Sequence, residues 1–81
     1  MSPLRFKWTL TLPNLSGVNH QAAIRAFEKV GFVIARQSGH VVMKRQQTIL
    51  VIPRHNPVKP TVMGQLIKTA GLTIEEFKEL L

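Results

Sequence analysis

The sequence predicts one α+β domain in which helices cover one face of a three-stranded antiparallel meander, in the order α-β-β-β-α-α, with an extra strand at the N-terminus. Three observations predict it. Residues 4–12 alternate apolar and polar at period two, apolar residues recur at helical spacing in two later stretches, and three short strand-like runs lie between them, each bounded by turn residues. At 81 residues and 44% hydrophobic composition the chain is long enough for one core and too short for two. Residues 1–14 are read as an extension and 15–81 as the domain.

The first element is a half-buried strand. Leu4, Phe6, Trp8, Leu10 and Leu12 fall on one side, with Arg5, Lys7, Thr9 and Thr11 on the other. Side chains of this size gain roughly 1.5 to 3 kcal/mol each on full burial. They are expected to pack on this domain, on a second copy or on another protein, so self-association through these five residues is one expectation. Pro13-Asn14-Leu15-Ser16-Gly17 breaks the strand, and Ser16 is read as the N-cap of a first helix running to about Val30. Ala23, Ile24, Phe27 and Val30 make its apolar stripe, and Gly31 ends it.

Three strands are expected next, at residues 32–37, 40–45 and 48–52. With Ser38-Gly39 as a two-residue turn, Gln37 pairs with His40, Ile34 with Met43 and Phe32 with Arg45. A two-residue register across Gln46-Gln47 sets Met43 opposite Leu50 and His40 opposite Pro53. This sorts Phe32, Ile34, Val41, Met43, Leu50 and Ile52 onto the face assigned to the helices. Val33, Ala35, His40, Val42, Lys44, Ile49 and Val51 take the open face. His55, Arg36 and Arg54 are expected at the same edge as His40. Pro60 suits the first position of a second helix, whose stripe is Val62, Met63, Leu66, Ile67 and Ala70. Thr73 with Glu76 three residues on is a capping box, and Leu72 is placed to staple to Phe77, so a short third helix runs from Ile74 to Leu81.

The formal charge is +7, and it is uneven. Glu75, Glu76 and Glu79 lie in the last seven positions, which leaves Glu28 alone against ten Lys and Arg in the rest of the chain. Such a field attracts polyanions, nucleic acid or an acidic protein. Membrane binding is not expected, because no helix sets Lys and Arg opposite a Trp and Leu face, and the aliphatic run Ile49 to Ile52 is far too short to span a bilayer. The absence of cysteine removes disulfides, thiolate metal sites and cysteine nucleophiles, and suits a reducing cytoplasm. Three histidines without cysteine or aspartate give no metal-ligand spacing, and no cofactor is expected.

Several stretches occur together in a telling order. They are Leu15-Ser16-Gly17, Phe27-Glu28-Lys29-Val30-Gly31-Phe32 and Arg36-Gln37-Ser38-Gly39-His40, followed by Val51-Ile52-Pro53-Arg54-His55-Asn56, Lys59-Pro60, Ala70-Gly71-Leu72-Thr73 and Glu75-Glu76-Phe77. In order and spacing this series resembles the HicA toxins, also called YcfA-like proteins, the mRNA interferases of type II toxin-antitoxin pairs. The resemblance implies a fold like the double-stranded RNA-binding domain and a HicA-like toxin domain over residues 15–81. It also implies metal-independent endoribonuclease activity on mRNA and neutralisation by a HicB-like antitoxin. In the family a histidine after glycine and serine at the start of the second strand is catalytic, and His40 is the matching residue. The chain departs from the family here: the common Gly-Ser-His is Ser38-Gly39-His40, a turn one residue shorter or rearranged. Thr61 and Gly64 also replace more usual residues, and the strand at residues 4–12 lies outside the resemblance.

RNA cleaves when its 2′-oxygen loses a proton and attacks the adjacent phosphorus, so the reaction needs a base, an acid and positive charge. A histidine serves as base or acid at neutral pH, which fits His40. Lys44, on the same face and about 7 Å distant by strand rise, is expected to hold a phosphate. His55 is the candidate for the second proton transfer. Arg36, Arg54 and Lys59 are expected phosphate contacts as a group. Two other classes stay open beside a ribonuclease toxin: a non-catalytic RNA-binding module and a protein-interaction domain on the same fold.

Overall fold

The computed structural model describes residues 15–81. The strand expected at residues 4–12 lies outside the described residues. Within them the order is α1 (His20–Lys29), β1 (Val33–Gln37), β2 (His40–Arg45), β3 (Thr48–Pro53), α2 (Pro60–Thr69) and α3 (Ile74–Leu80), and the sheet is antiparallel in the order β1-β2-β3. This is the α+β arrangement that the sequence predicts, with the helices on one face. Among the described residues no helix is long and apolar enough to cross a membrane.

One core holds the layers together. Phe32, Val41, Met43, Leu50 and Ile52 turn inward from the sheet and its approach, and meet Ala23, Ala26 and Phe27 of α1, Met63, Leu66 and Ile67 of α2, and Phe77 of α3. Phe27 is the hub of the aromatic packing: its ring stands edge-on to Phe32 at 5.9 Å and tilted against Phe77 at 5.2 Å. On the other face Val33, Ile49 and Val51 are 62%, 54% and 49% exposed, so that face carries no helix. Ile34, assigned to the core by alternation, is instead 37% exposed. It lies on β1, an edge strand exposed along its whole length, where the helix layer gives no cover.

The first helix starts later than the sequence predicts. Ser16-Gly17 forms a turn, with Gly17 at φ 82°, and the N-cap is Asn19, whose Oδ1 accepts the N–H of Ala22 at 2.7 Å. Both are good capping residues; Leu15 and Val18, each buried, fix which one is used by holding the preceding turn in the core.

The β2–β3 register is as expected throughout, from His40 opposite Pro53 to Arg45 opposite Thr48. Its two-residue turn is reached by placing Gln46 at φ 54°, in the left-handed region. The β1–β2 register is as expected at the start of β1, where Ile34 lies opposite Met43 and Val33 opposite Lys44. A bulge between Ile34 and Arg36 then shifts the pairing, so Gln37 faces Val41 and not His40, and Ser38-Gly39 is not a simple two-residue turn. The Ser38 N–H donates to the His40 carbonyl at 3.0 Å within the connection.

At the helix ends, α3 carries the complete capping box: Glu76 N–H donates to Thr73 Oγ1 at 3.1 Å, and Thr73 N–H to Glu76 Oε1 at 2.8 Å. Thr73→Ala removes half of it and is expected to cost about 1 kcal/mol, read as a thermal midpoint roughly 4 to 8 °C lower. Arg45 has a role that patterning does not reveal. Its Nη1 donates to the carbonyl of Val30 at 2.8 Å and its Nη2 to that of Ala70 at 3.1 Å, while the guanidinium lies 4.4 Å over the Phe32 ring. Val30 and Ala70 are the C-caps of α1 and α2, so one cation on the sheet closes both helices at their negative ends. Gly31 follows the first of these ends at φ 100°, where an added Cβ meets Arg45 Cδ at 3.3 Å.

Candidate nucleic-acid interface

The bulge decides which basic residues share the open face. In the unbulged register Arg36 falls opposite Val41 and points to the helices. With Ala35 as the extra residue, Arg36 pairs with Val42, and Val42 pairs in turn with Val51. Residues directly opposite share a face, so Arg36 joins His40, Val42 and Lys44 on the helix-free side. His40 and Lys44 are the two diagonal neighbours of Arg36 across the ladder, at about 7 to 8 Å between backbones, within reach of an arginine side chain. All three are exposed.

Lys44 is four residues along β2 from His40, which is about 13 Å at the rise of a strand and not 7 Å. It therefore meets a different part of any bound polymer than the imidazole does. Arg36 lies between the two and can bridge them.

The remaining candidates are dispersed around this face. Arg54 follows Pro53, and its Nη2 donates to Gln37 Oε1 at 3.2 Å. Gln37 shares the face of buried Val41, so this bond crosses the end of the sheet on the helix side, and Arg54 flanks the start of β2 instead of sitting beside His40. Its other guanidinium N–H groups stay available to an anion. Lys59 is the N-cap residue of α2, in the helix layer, so the sheet does not bring it onto the open face. His55 is exposed, two residues beyond Pro53, the partner of His40; that much chain spans at most about 7 Å.

A residue pair absent from the sequence reading holds the His55 loop in place. Asn56 Oδ1 accepts the backbone N–H of His20 at 3.0 Å and lies 2.9 Å from His20 Nδ1. A carbonyl oxygen only accepts, so Nδ1 is the donor of this bond. Two residues further on, Val58 N–H donates to the Val18 carbonyl at 2.8 Å. The loop is thus tied at two points to the start of α1. The signal for it was Asn56 beside His55, but the partner is 36 positions away and no spacing rule links them.

Arg36→Ala is expected to weaken binding to a long RNA and reduce the dependence of log affinity on log salt by about one unit. Lys59→Ala should change that slope less. Filter binding across a salt series measures both.

A three-stranded sheet with one face covered by helices and the other open, carrying exposed Arg36 and Lys44, defines a small α+β domain with a basic open face. The family model described as HicA toxin of bacterial toxin-antitoxin matches residues 21–72, more than half of the chain. The chain belongs to this family, and is a toxin of a bacterial toxin-antitoxin system. No curated protein matches it.

Proposed function

We propose that the protein is an mRNA interferase, an endoribonuclease that needs no metal and uses His40 to activate the RNA 2′-hydroxyl. The observation that carries this reading is the position of His40 on the open face, diagonal to Arg36, in a chain of the HicA family. An exposed imidazole with a cation in reach supplies what 2′-hydroxyl attack requires.

The steps follow from that chemistry. RNA lies across the open face with a phosphate at Arg36 and the next contacts at Lys44 or Arg54. His40 takes the 2′-hydroxyl proton, the 2′-oxygen bonds to phosphorus, and the bond from phosphorus to the 5′-oxygen breaks. Arg36 offsets the charge that builds on the non-bridging oxygens. The departing 5′-oxygen takes up a proton, and His55, held near the start of β2 by its tethered loop, is the proposed donor. The products are a 2′,3′-cyclic phosphate and a 5′-hydroxyl end.

The antitoxin partner of this reading is HicB-like and lies over the same face in the cytoplasm. Exposed Val33, Ile49 and Val51 give it an apolar centre, and the surrounding cations favour an acidic surface on the partner. The reading is tested by incubating the protein with a long mRNA in EDTA. Cleavage that disappears in His40→Ala is the expected result. RNA that is bound in a salt-sensitive manner but left intact would replace the enzyme by a binding module.

A further inference from the structure

The two edges of the sheet are built differently. β1 protects its outer edge in two ways, with the bulge at Ala35 and the charge of Arg36. β3 has neither: Thr48–Pro53 contains no charged residue, its pairing with β2 is regular, and among the described residues it has a partner on one side only. Beside it runs an open groove of about 440 Å³. One wall is Ile49, Leu50 and Val51, and the other is Val62, Gln65 and Leu66 of α2. An uncharged, regular, apolar edge is an invitation to strand pairing, and a soluble protein covers it.

We propose that residues 4–12 of the same chain cover it, as a fourth strand hydrogen-bonded to β3. The point at which the chain joins the domain supports this occupant. Leu15 and Val18 are buried, and the Val18 carbonyl is bonded to Val58 N–H, between the end of β3 and the start of α2. Five residues, Pro13 to Gly17, separate Leu12 from Val18, and Leu15 among them is buried in the core. A strand ending there lies alongside β3 and parallel to it, with Leu12 towards Val51 and Leu4 beyond Ile49. Its nine residues span about 30 Å, against about 20 Å for the six of β3, so the reach is sufficient.

The alternation fits as well. Leu4, Phe6, Trp8, Leu10 and Leu12 turn to the helix side, where Val62, Gln65 and Leu66 form the groove wall. Arg5, Lys7, Thr9 and Thr11 then join the open face. The strand closes the apolar edge and extends the basic surface by two cations in one step.

The full chain has one tryptophan, Trp8, and no cysteine, which makes the test direct. A nitroxide attached at Gln65→Cys, an exposed position of the groove wall, is expected to broaden the amide signals of residues 4–12 in labelled chain. Mixing spin-labelled chain of natural isotope content with unlabelled, nitrogen-15 chain should leave those signals sharp. Trp8 emission is expected at shorter wavelength than that of tryptophan in water. Sharp signals in the labelled chain, with water-like Trp8 emission, overturn the proposal. Broadening in the mixed sample also overturns it, and assigns the edge to a second copy.

Discussion

His40→Ala is expected to lower the rate of mRNA cleavage by about a hundred- to ten-thousandfold, the range for loss of a positioned acid or base. The thermal midpoint should stay within a degree or two of the parent, because His40 is exposed and outside the core. That combination separates chemistry from folding. A His55→Ala variant completes the comparison: a second proton-transfer group makes its loss visible in the rate of the cleavage step, whereas an idle loop histidine leaves the rate unchanged. Single-turnover cleavage in EDTA, with circular dichroism melts on the same samples, measures all of these quantities.

Arg45→Ala is expected to be the most destabilising charge removal in the domain, at about 3 kcal/mol. The side chain is only partly buried, yet it supplies two charge-assisted hydrogen bonds to carbonyls that end two different helices, and it lies on the Phe32 ring. Hydrogen bonds from a charged group are worth about 1.5 to 3 kcal/mol each, and the ring contact about 0.5 to 1; exposure and repacking bring the total below the sum. Arg45→Lys keeps the charge but not the fork, so it should recover less than half of the loss. Urea denaturation of the three proteins gives the comparison, with a midpoint shift at constant slope as the expected form.

What was legible in the sequence follows the range of the forces involved. The capping box of α3 and the β2–β3 register were readable because each depends on neighbours: Thr73 and Glu76 in one case, a two-residue turn and alternating side chains in the other. The order of elements from α1 to α3 was readable from hydrophobic period together with the turn, glycine, proline and capping residues that bound each run. The start of α1 was not, since Ser16 and Asn19 are equally good caps and the choice is made by the burial of Leu15 and Val18. The bulge at Ala35 was also hidden, because alanine carries none of the conformational signals that mark an extra residue in a strand.

That hidden residue has consequences for the site. Family resemblance and alternation were enough to place His40 on the open face, but they set Arg36 merely at the end of its strand. Only the shifted register makes it the diagonal neighbour of both His40 and Lys44. Arg45 and the His20–Asn56 pair were illegible for a different reason: their partners are backbone carbonyls or residues tens of positions away. One consequence is a sharper division of the positive charge. Arg45 is committed to the fold and Arg54 bonds Gln37, whereas Arg36 and Lys44 are exposed cations on the open face.

The connection Ser38-Gly39-His40, read from the sequence as shorter or rearranged against the family's common Gly-Ser-His, follows a strand whose bulge at Ala35 sets Arg36 on the face that His40 occupies.

The most direct measurement of the mechanism is the chemistry of the RNA ends after cleavage in EDTA. Attack by the 2′-oxygen predicts a 2′,3′-cyclic phosphate on the upstream fragment and a 5′-hydroxyl on the downstream one, with no cleavage where the scissile nucleotide is 2′-deoxy. Ends bearing a 3′-hydroxyl and a 5′-phosphate, or cleavage that persists at the deoxy position, would contradict a site in which His40 activates the 2′-hydroxyl.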